Sequence, residues 1–91
     1  MRHNENDLSQ LIHNSYEMKL LDKRIIIISE GIDSSVAKKV VAQLLYLDSV
    51  DSKSCIHMYI NSPGGEINSG FAIYDTIKFI KPEVKIINTG L

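Results

Sequence analysis

Apolar and polar positions alternate along the chain in blocks that predict strands and helices in turn. Four consecutive isoleucines, Ile25–Ile28, are typical of a strand buried on both faces of a parallel sheet. Apolar residues then recur at helical spacing over residues 34–47, where Asp33 or Ser34 can cap the helix. A second apolar run, residues 55–61, predicts a second strand.

The pattern continues with a second helix and a third strand. Six apolar side chains are spaced for one helical face that ends before Pro82: Ile67, Phe71, Ile73, Tyr74, Ile77 and Ile80. Residues 84–88 predict the third strand. The order β-α-β-α-β favours parallel pairing with right-handed crossovers. Because no helix follows the third strand, we expect one face of the sheet to be uncovered and prone to association.

The first residues of the chain differ in character from the rest. Residues 1–15 are polar and show little hydrophobic periodicity, so we expect an N-terminal arm that becomes ordered only against a partner. Residues 16–91 then form a single α/β domain with a modest core, which is what a chain of 91 residues can bury.

Composition excludes several classes of function. Ten basic and eleven acidic residues give a net charge of -1, without the basic excess of a nucleic-acid binder. The longest apolar run has four residues, far short of the roughly 20 that a membrane span needs. The N-terminus has no apolar signal segment, and the single cysteine, Cys55, fits a reducing compartment. We therefore expect a cytoplasmic protein with neither a membrane nor a nucleic acid as partner.

The segment Ser62-Pro63-Gly64-Gly65-Glu66 joins a predicted strand to a predicted helix and is the best candidate for chemistry. Adjacent glycines allow close backbone approach, and a helix N-terminus presents unpaired N–H groups to an anion. Glu66 would repel a phosphate dianion, and the segment matches neither common phosphate-binding pattern. Two interpretations stay open: a plain turn, or donors for the oxyanion of an acyl-transfer reaction.

Residues for nucleophilic or metal chemistry are few. A triad needs a Ser or Cys beside a His that a carboxylate orients. We expect His3 and His13 to be surface residues of the arm, His57 to pack within its strand, and Cys55 to be a small core residue. The histidines and the cysteine lack the spacing of a metal site, so no metal is expected.

Four segments, read together, resemble the proteolytic subunit of the ATP-dependent Clp protease, a serine peptidase. They are RIII at 24–27, VVAQLLYL at 40–47, IHMYINSPGG at 56–65 and AIYDTIKFIKP at 72–82. The resemblance covers residues 16–91. It implies an α/β fold of repeated β-α-β units of the Clp protease/crotonase type, of which these residues are the N-terminal part and which is incomplete at the C-terminus.

The resemblance also implies a mechanism and partners. It implies homo- or hetero-oligomeric rings of Clp proteolytic subunits, whose enclosed serine endopeptidase sites receive unfolded protein substrates from a Clp-family AAA+ ATPase. ATP is used by that ATPase, so the subunit itself needs no cofactor. Gly65 would supply an oxyanion-hole N–H with Gly64 shaping the loop, and Ile67 would border the bound peptide. His57, Tyr59 and Phe79 match the hydrophobic pocket where ATPase loops dock; from their spacing alone, core packing is equally open.

The family's nucleophilic Ser follows a few residues after the turn at 89–91, and its His and Asp come later still. We therefore expect a truncated subunit that holds none of the triad and is inactive alone. Two alternatives stay open. One is a non-catalytic structural or regulatory member of a Clp ring, and the other is an acyl-CoA hydratase or isomerase-like protein that uses the oxyanion hole.

Overall fold

The computed structural model describes residues 15–89, which form an α/β domain. The elements of this part are α1 (residues 15–22), β1 (Ile25–Ile28), α2 (Ser34–Val50), β2 (Ile56–Ile60), α3 (Ile67–Phe79) and β3 (Val84–Asn88). The predicted order of strands and helices is confirmed, although α2 extends beyond residue 47 and β2 is one residue shorter at each end. The arm expected over residues 1–15 lies outside the described residues except for residue 15, which is helical.

The three strands form one parallel sheet in the order β1-β2-β3. Ile25 of β1 lies opposite His57 of β2, and Ile56 of β2 lies opposite Val84 of β3. The parallel pairing expected for strands joined by helices is therefore confirmed. Each strand is added next to the preceding one, in the same direction across the sheet. Because both crossover connections therefore have the same hand, α2 and α3 lie on the same face of the sheet, where they pack against each other.

The core lies between that face of the sheet and the two helices. Its buried members are Ile26, Ile28, Val36, Ala37, Val40, Leu44, Leu47, Ile56, Met58, Ile73 and Ile80. Burial of one Val, Leu, Ile or Met side chain stabilises the fold by about 1.5–3 kcal/mol relative to leaving that side chain in water. The cluster joins all of the elements except α1 and β3, which contribute the partly buried Leu21 and Val84 at its margin.

In the part of the chain that the structure describes, the other face of the sheet is open except beside α1, whose Tyr16 and Leu20 line a hollow with Ile27. The expectation that β1 is buried on both faces is wrong. Ile26 and Ile28 are buried, whereas Ile27 between them is 46% exposed. The physical reason is that both long helices cover the Ile26 side.

Ile86 of β3 points to the helix side of the sheet, yet within the described part of the chain it is 54% exposed because α2 and α3 do not cover it fully. This agrees with the expectation that the sheet is incompletely covered at the third strand.

The apolar residues of α3 do not share one face, which corrects the single stripe expected from spacing. Ile73 and Ile80 are buried in the core, but Ile67, Phe71 and Tyr74 are more than half exposed. At 100° per residue, the exposed three lie within a narrow arc on the side of the helix away from Ile73. The helix therefore carries a second, exposed apolar stripe. None of the helices in the described part of the chain is long and apolar enough to cross a membrane.

Asp33 is the N-cap of α2, and its loss should weaken the helix. Its side-chain oxygen accepts a hydrogen bond from the Val36 N–H at 2.9 Å. We expect Asp33→Ala to lower the free energy of unfolding by about 1 kcal/mol and Asp33→Asn to change it little, because an amide oxygen caps equally well. Urea unfolding measures both variants. Equal losses in the two would show that the cap is not the cause.

The loop after α2 is organised by the carboxylate of Asp51. This group accepts hydrogen bonds from the Ser54 hydroxyl at 2.6 Å and from the N–H groups of Lys53 and Ser54 at 2.8 and 3.1 Å. The hydroxyl bond, followed by the two backbone bonds, lowers the pKa of Asp51 from 3.8 to about 2. The loop therefore favours the ionised carboxylate.

This lowered pKa predicts a sensitivity to acid. A depressed folded-state pKa stabilises the fold fully above the unfolded value near 3.8, and that contribution is lost as the pH falls through about 2. We expect wild type to lose more stability than Asp51→Asn over this window, measured by urea unfolding at stepped pH. Asp75→Asn, on the exposed side of α3, is the matched control. Parallel pH profiles for wild type and Asp51→Asn would contradict the assignment.

Candidate functional site

The segment between β2 and α3 is held against a single residue that follows β1. Ile32 and Gly65 form an isolated parallel bridge. The Ile32 N–H donates to the Gly64 carbonyl at 2.9 Å, and the Glu66 N–H donates to the Ile32 carbonyl at 2.8 Å. Gly65 is therefore fixed from both sides at the carboxyl edge of the sheet, where parallel α/β sheets bind their ligands.

The bridge turns the N–H of Gly65 away from Ile32. In a parallel ladder, a residue whose two neighbours pair with the adjacent strand directs its own N–H and carbonyl away from that strand. The Gly65 N–H accordingly donates to none of the residues that the structure describes, and Gly65 is exposed. A fixed, unpaired backbone donor is what an oxyanion hole requires.

Both glycines are required by the backbone, for different reasons. A Cβ atom on Gly65 would lie 2.6 Å from the Ile32 nitrogen and closer still to its carbonyl oxygen. Gly64 has φ +110°, a conformation that residues with a side chain rarely adopt, although there is open space beside it. The Ser62 hydroxyl supports the turn by accepting a hydrogen bond from the Gly64 N–H at 3.1 Å.

Glu66 and Ile67 begin α3 beside this donor. Glu66 occupies the N-cap position but makes no side-chain cap; instead its Oε1 accepts a hydrogen bond from the Ser69 hydroxyl at 3.1 Å. Ile67 is 75% exposed. A cavity of about 360 Å³ is lined by Gly31, Ile32, Asp33, Gly65 and Glu66, and one of about 560 Å³ by Ser34, Glu66, Ile67, Asn68 and Ser69. Gly65, Glu66 and Ile67 thus line adjoining hollows open to a ligand.

The three residues matched to a docking pocket do not all meet within this chain. His57 and Tyr59 alternate with the buried Ile56 and Met58, so they share the open face of the sheet. Phe79 is 77% exposed at the end of α3, a helix that packs on the opposite face. The strand and the helix end therefore do not bring all three aromatic rings into one patch.

No histidine lies beside the loop in the described part of the chain. His57, at the second position of β2, is three residues of strand, or about 10 Å, before the end of β2. Cys55 is half-buried, and its Sγ lies 3.5 Å from the Ile56 carbonyl oxygen. His3 and His13 lie outside the described residues. Residues 15–89 contain no group of three His, Cys, Asp or Glu side chains placed to hold a metal ion.

Two features of the site were not anticipated from the sequence. Ile32, a lone apolar residue between Gly31 and Asp33, carries no periodic signal, yet it holds the loop. Asp33 was expected only as a helix cap, and it also lines the cavity beside Gly65. The Ile32–Gly65 bridge joins residues 33 positions apart in the sequence. The adjacent glycines were therefore the only local sign that another backbone segment approaches the loop closely.

Comparison with protein families agrees with the resemblance seen in the sequence. The family model described as Clp protease matches residues 8–91. The match spans all of the strands and helices described above and includes the Gly64–Gly65 loop.

Proposed function

Because the chain belongs to the Clp protease family, we propose that residues 16–91 are the N-terminal part of a Clp-type proteolytic subunit domain with the repeated β-α-β units of the crotonase type. Membership of this family implies assembly with other Clp subunits and with ATPases in general. The observation that carries the proposal is the unpaired N–H of Gly65, fixed by the bridge to Ile32.

In this proposal, Gly65 stabilises charge on a substrate carbonyl. When a nucleophile attacks a peptide bond, the carbonyl oxygen becomes an oxyanion, and a preorganised N–H strengthens its hydrogen bond to it. One such donor contributes about 10²–10³-fold in rate. Gly64 shapes the loop, and Ile67 borders the bound peptide. Among the described residues, the His57 side chain makes no hydrogen bond to a Ser, a Cys or a carboxylate, so in this proposal residues 15–89 do not act as a peptidase by themselves.

The proposed partners are those of a Clp-type proteolytic subunit. Unfolded protein substrates reach the site through a Clp-family AAA+ ATPase, which uses the ATP, in the cytoplasm. His57 and Tyr59 on the open sheet face form one part of the ATPase-docking pocket. Phe79 lies on the helix side, so it contributes to such a pocket across the boundary with a neighbouring subunit.

The experiment has two arms. Alone, the polypeptide is given a fluorogenic peptide and a fluorophosphonate probe that labels activated serines; we expect neither turnover nor label. Mixed with a complete Clp proteolytic subunit, it is expected to elute with the large particle on gel filtration. Turnover or labelling of the polypeptide alone, or its elution separately from the particle, would contradict the proposal.

A non-catalytic role in a ring has one observation in its favour. The exposed stripe of α3, formed by Ile67, Phe71 and Tyr74, gives the chain an apolar surface that packing against another subunit would cover. Elution with the particle, together with a fall in the activity per complete subunit, would favour this role. The acyl-CoA alternative has less support, because the cavity at Gly65 carries two carboxylates, which repel phosphates.

A further inference from the structure

The open face of the sheet carries His57 of β2, a residue whose side chain can gain a charge near neutral pH. His57 is half-buried, and the residues in register with it are Ile25 of β1 and Lys85 of β3. Residues in register on adjacent parallel strands point to the same face and lie about 4.8 Å apart. The imidazole therefore has an apolar residue on one side and a lysine on the other.

The next row of the same face is neutral and largely apolar. It consists of Ile27, Tyr59 and Ile87, which lie in register across the three strands. Ile27 is 46% exposed and Tyr59 is 36% exposed, so this row is accessible in the described part of the chain. Such a surface suits an uncharged apolar segment of a partner. The proposed function places ATPase docking at His57 and Tyr59, so the inference rests on that function.

The structure shows no ion pair among residues 15–89 that would neutralise a proton on His57. From β3 the charged residue on the same face is Lys85, and Glu83, exposed one residue before that strand, forms no ion pair with His57. β1 consists of isoleucines, and α2 and α3 lie on the opposite face. The charged groups of the neighbouring segments are engaged elsewhere or are exposed cations: Glu17 and Glu30 pair with Lys39, Asp22 lines the hollow around Arg24, Asp51 binds Ser54, and Lys19 and Lys23 are exposed.

We propose that His57 makes the docking of an apolar ATPase loop on this face dependent on pH. The neutral imidazole accepts the loop, whereas the imidazolium opposes it, because an apolar cover removes water from the charge and leaves it beside Lys85. An imidazole gains its proton as the pH falls from about 8 to about 5, so the affinity for the loop decreases over that range. Since this face is open and partly in contact with water, we expect a loss of about tenfold rather than complete release.

The test uses the complete isotope-labelled polypeptide and an uncharged apolar peptide, acetyl-Ala-Leu-Phe-Leu-Ala amide, as the probe. This peptide has no group that titrates near neutral pH, so a change in its binding reports on the protein. Binding is followed by NMR through the shift of the Tyr59 amide, at about pH 8 and at about pH 5.5. We expect binding to be about tenfold weaker at the lower pH. The dispersion of the amide spectrum without peptide verifies that the fold persists at both pH values.

Three variants locate the effect. His57→Phe keeps an aromatic ring that cannot be protonated, and its affinity for the peptide should be equal at the two pH values. Lys85→Gln removes the neighbouring cation and should reduce the pH effect to about threefold. His13→Phe makes the same change outside the described residues and should keep the full effect.

Equal binding of the peptide by wild type at both pH values, with a shifted Tyr59 amide, would overturn the inference and leave the docking role of this face in place. Persistence of the full pH effect in His57→Phe would do the same. A Tyr59 amide that shifts at neither pH, in wild type and in His57→Phe, would overturn the docking role and the inference together.

Discussion

Gly65→Ala should lower the free energy of unfolding by about 3 kcal/mol or more, one of the two largest effects expected here. The new methyl group would meet the Ile32 backbone, 2.6 Å from its nitrogen, and neither backbone segment can move without loss of the bridge. Separation of the two segments would break the Ile32–Gly64 and Glu66–Ile32 hydrogen bonds. It would also release the donor proposed to hold the substrate oxygen.

The chain offers a matched control in the same region. Gly70 lies within α3, and a Cβ atom there would meet nothing within 4 Å. Gly70→Ala should therefore stabilise the protein by about 0.5–1 kcal/mol, because alanine is the better helix former. Urea unfolding of the two variants measures the contrast. A Gly65→Ala protein as stable as wild type would show that Ile32 does not approach Gly65 closely.

Arg24→Ala should lower the free energy of unfolding by about 3 kcal/mol as well. The guanidinium donates to four backbone carbonyl oxygens: Leu47 at 3.1 Å, Asp51 at 2.8 Å, Ser54 at 2.8 Å and Cys55 at 3.3 Å. These carbonyls belong to the last turns of α2 and to the loop that leads into β2. Loss of the side chain would remove this donor from all four carbonyls, of which only Leu47 is shown to keep another one, the Asp51 N–H, and it would remove a cation from the helix C-terminus.

Three further variants separate the causes. Arg24 has φ +63°, so Arg24→Gly should lose about 1 kcal/mol less than Arg24→Ala, since it relieves the backbone strain. Arg24→Lys should recover only a minor part of the loss, because one ammonium cannot span four carbonyls. Lys23→Ala, at the exposed neighbouring position, should be nearly neutral. Thermal and urea unfolding suffice. If Arg24→Lys were as stable as wild type, the four hydrogen bonds of the guanidinium would not be the cause of the loss.

The elements themselves were predictable because their signals are local. β1 and β3 begin and end where the isoleucine run and the residues after Pro82 indicated, and Asp33 caps α2 as one of the two expected residues. The faces were not predictable to the same degree. Spacing identifies the apolar side chains of α3, but only the positions of α2 and the sheet decide that Ile73 is buried and Phe71 exposed.

The loop of the candidate site could be predicted from the sequence, but the distant residues that hold the loop and its neighbouring helix in place could not. Adjacent glycines between a strand and a helix indicated Gly64 and Gly65, and the family resemblance assigned Gly65 a role. The free N–H depends on Ile32, and the end of α2 depends on Arg24. Both are contacts between distant residues of common types. Nothing in the local pattern distinguishes this isoleucine or this arginine from the others in the chain.

Amide hydrogen exchange, followed residue by residue by NMR on the 91-residue polypeptide, tests the central claim most directly. The claim is that the bridge to Ile32 fixes the loop and leaves the Gly65 N–H available to a substrate oxygen. The account predicts slow exchange at Ile32 and Glu66, whose N–H groups are hydrogen-bonded. It predicts fast exchange at Gly65, which lies opposite Ile32 and directly precedes Glu66. Protection of the Gly65 amide, or exchange at Ile32 and Glu66 as fast as in an unfolded chain, would contradict it.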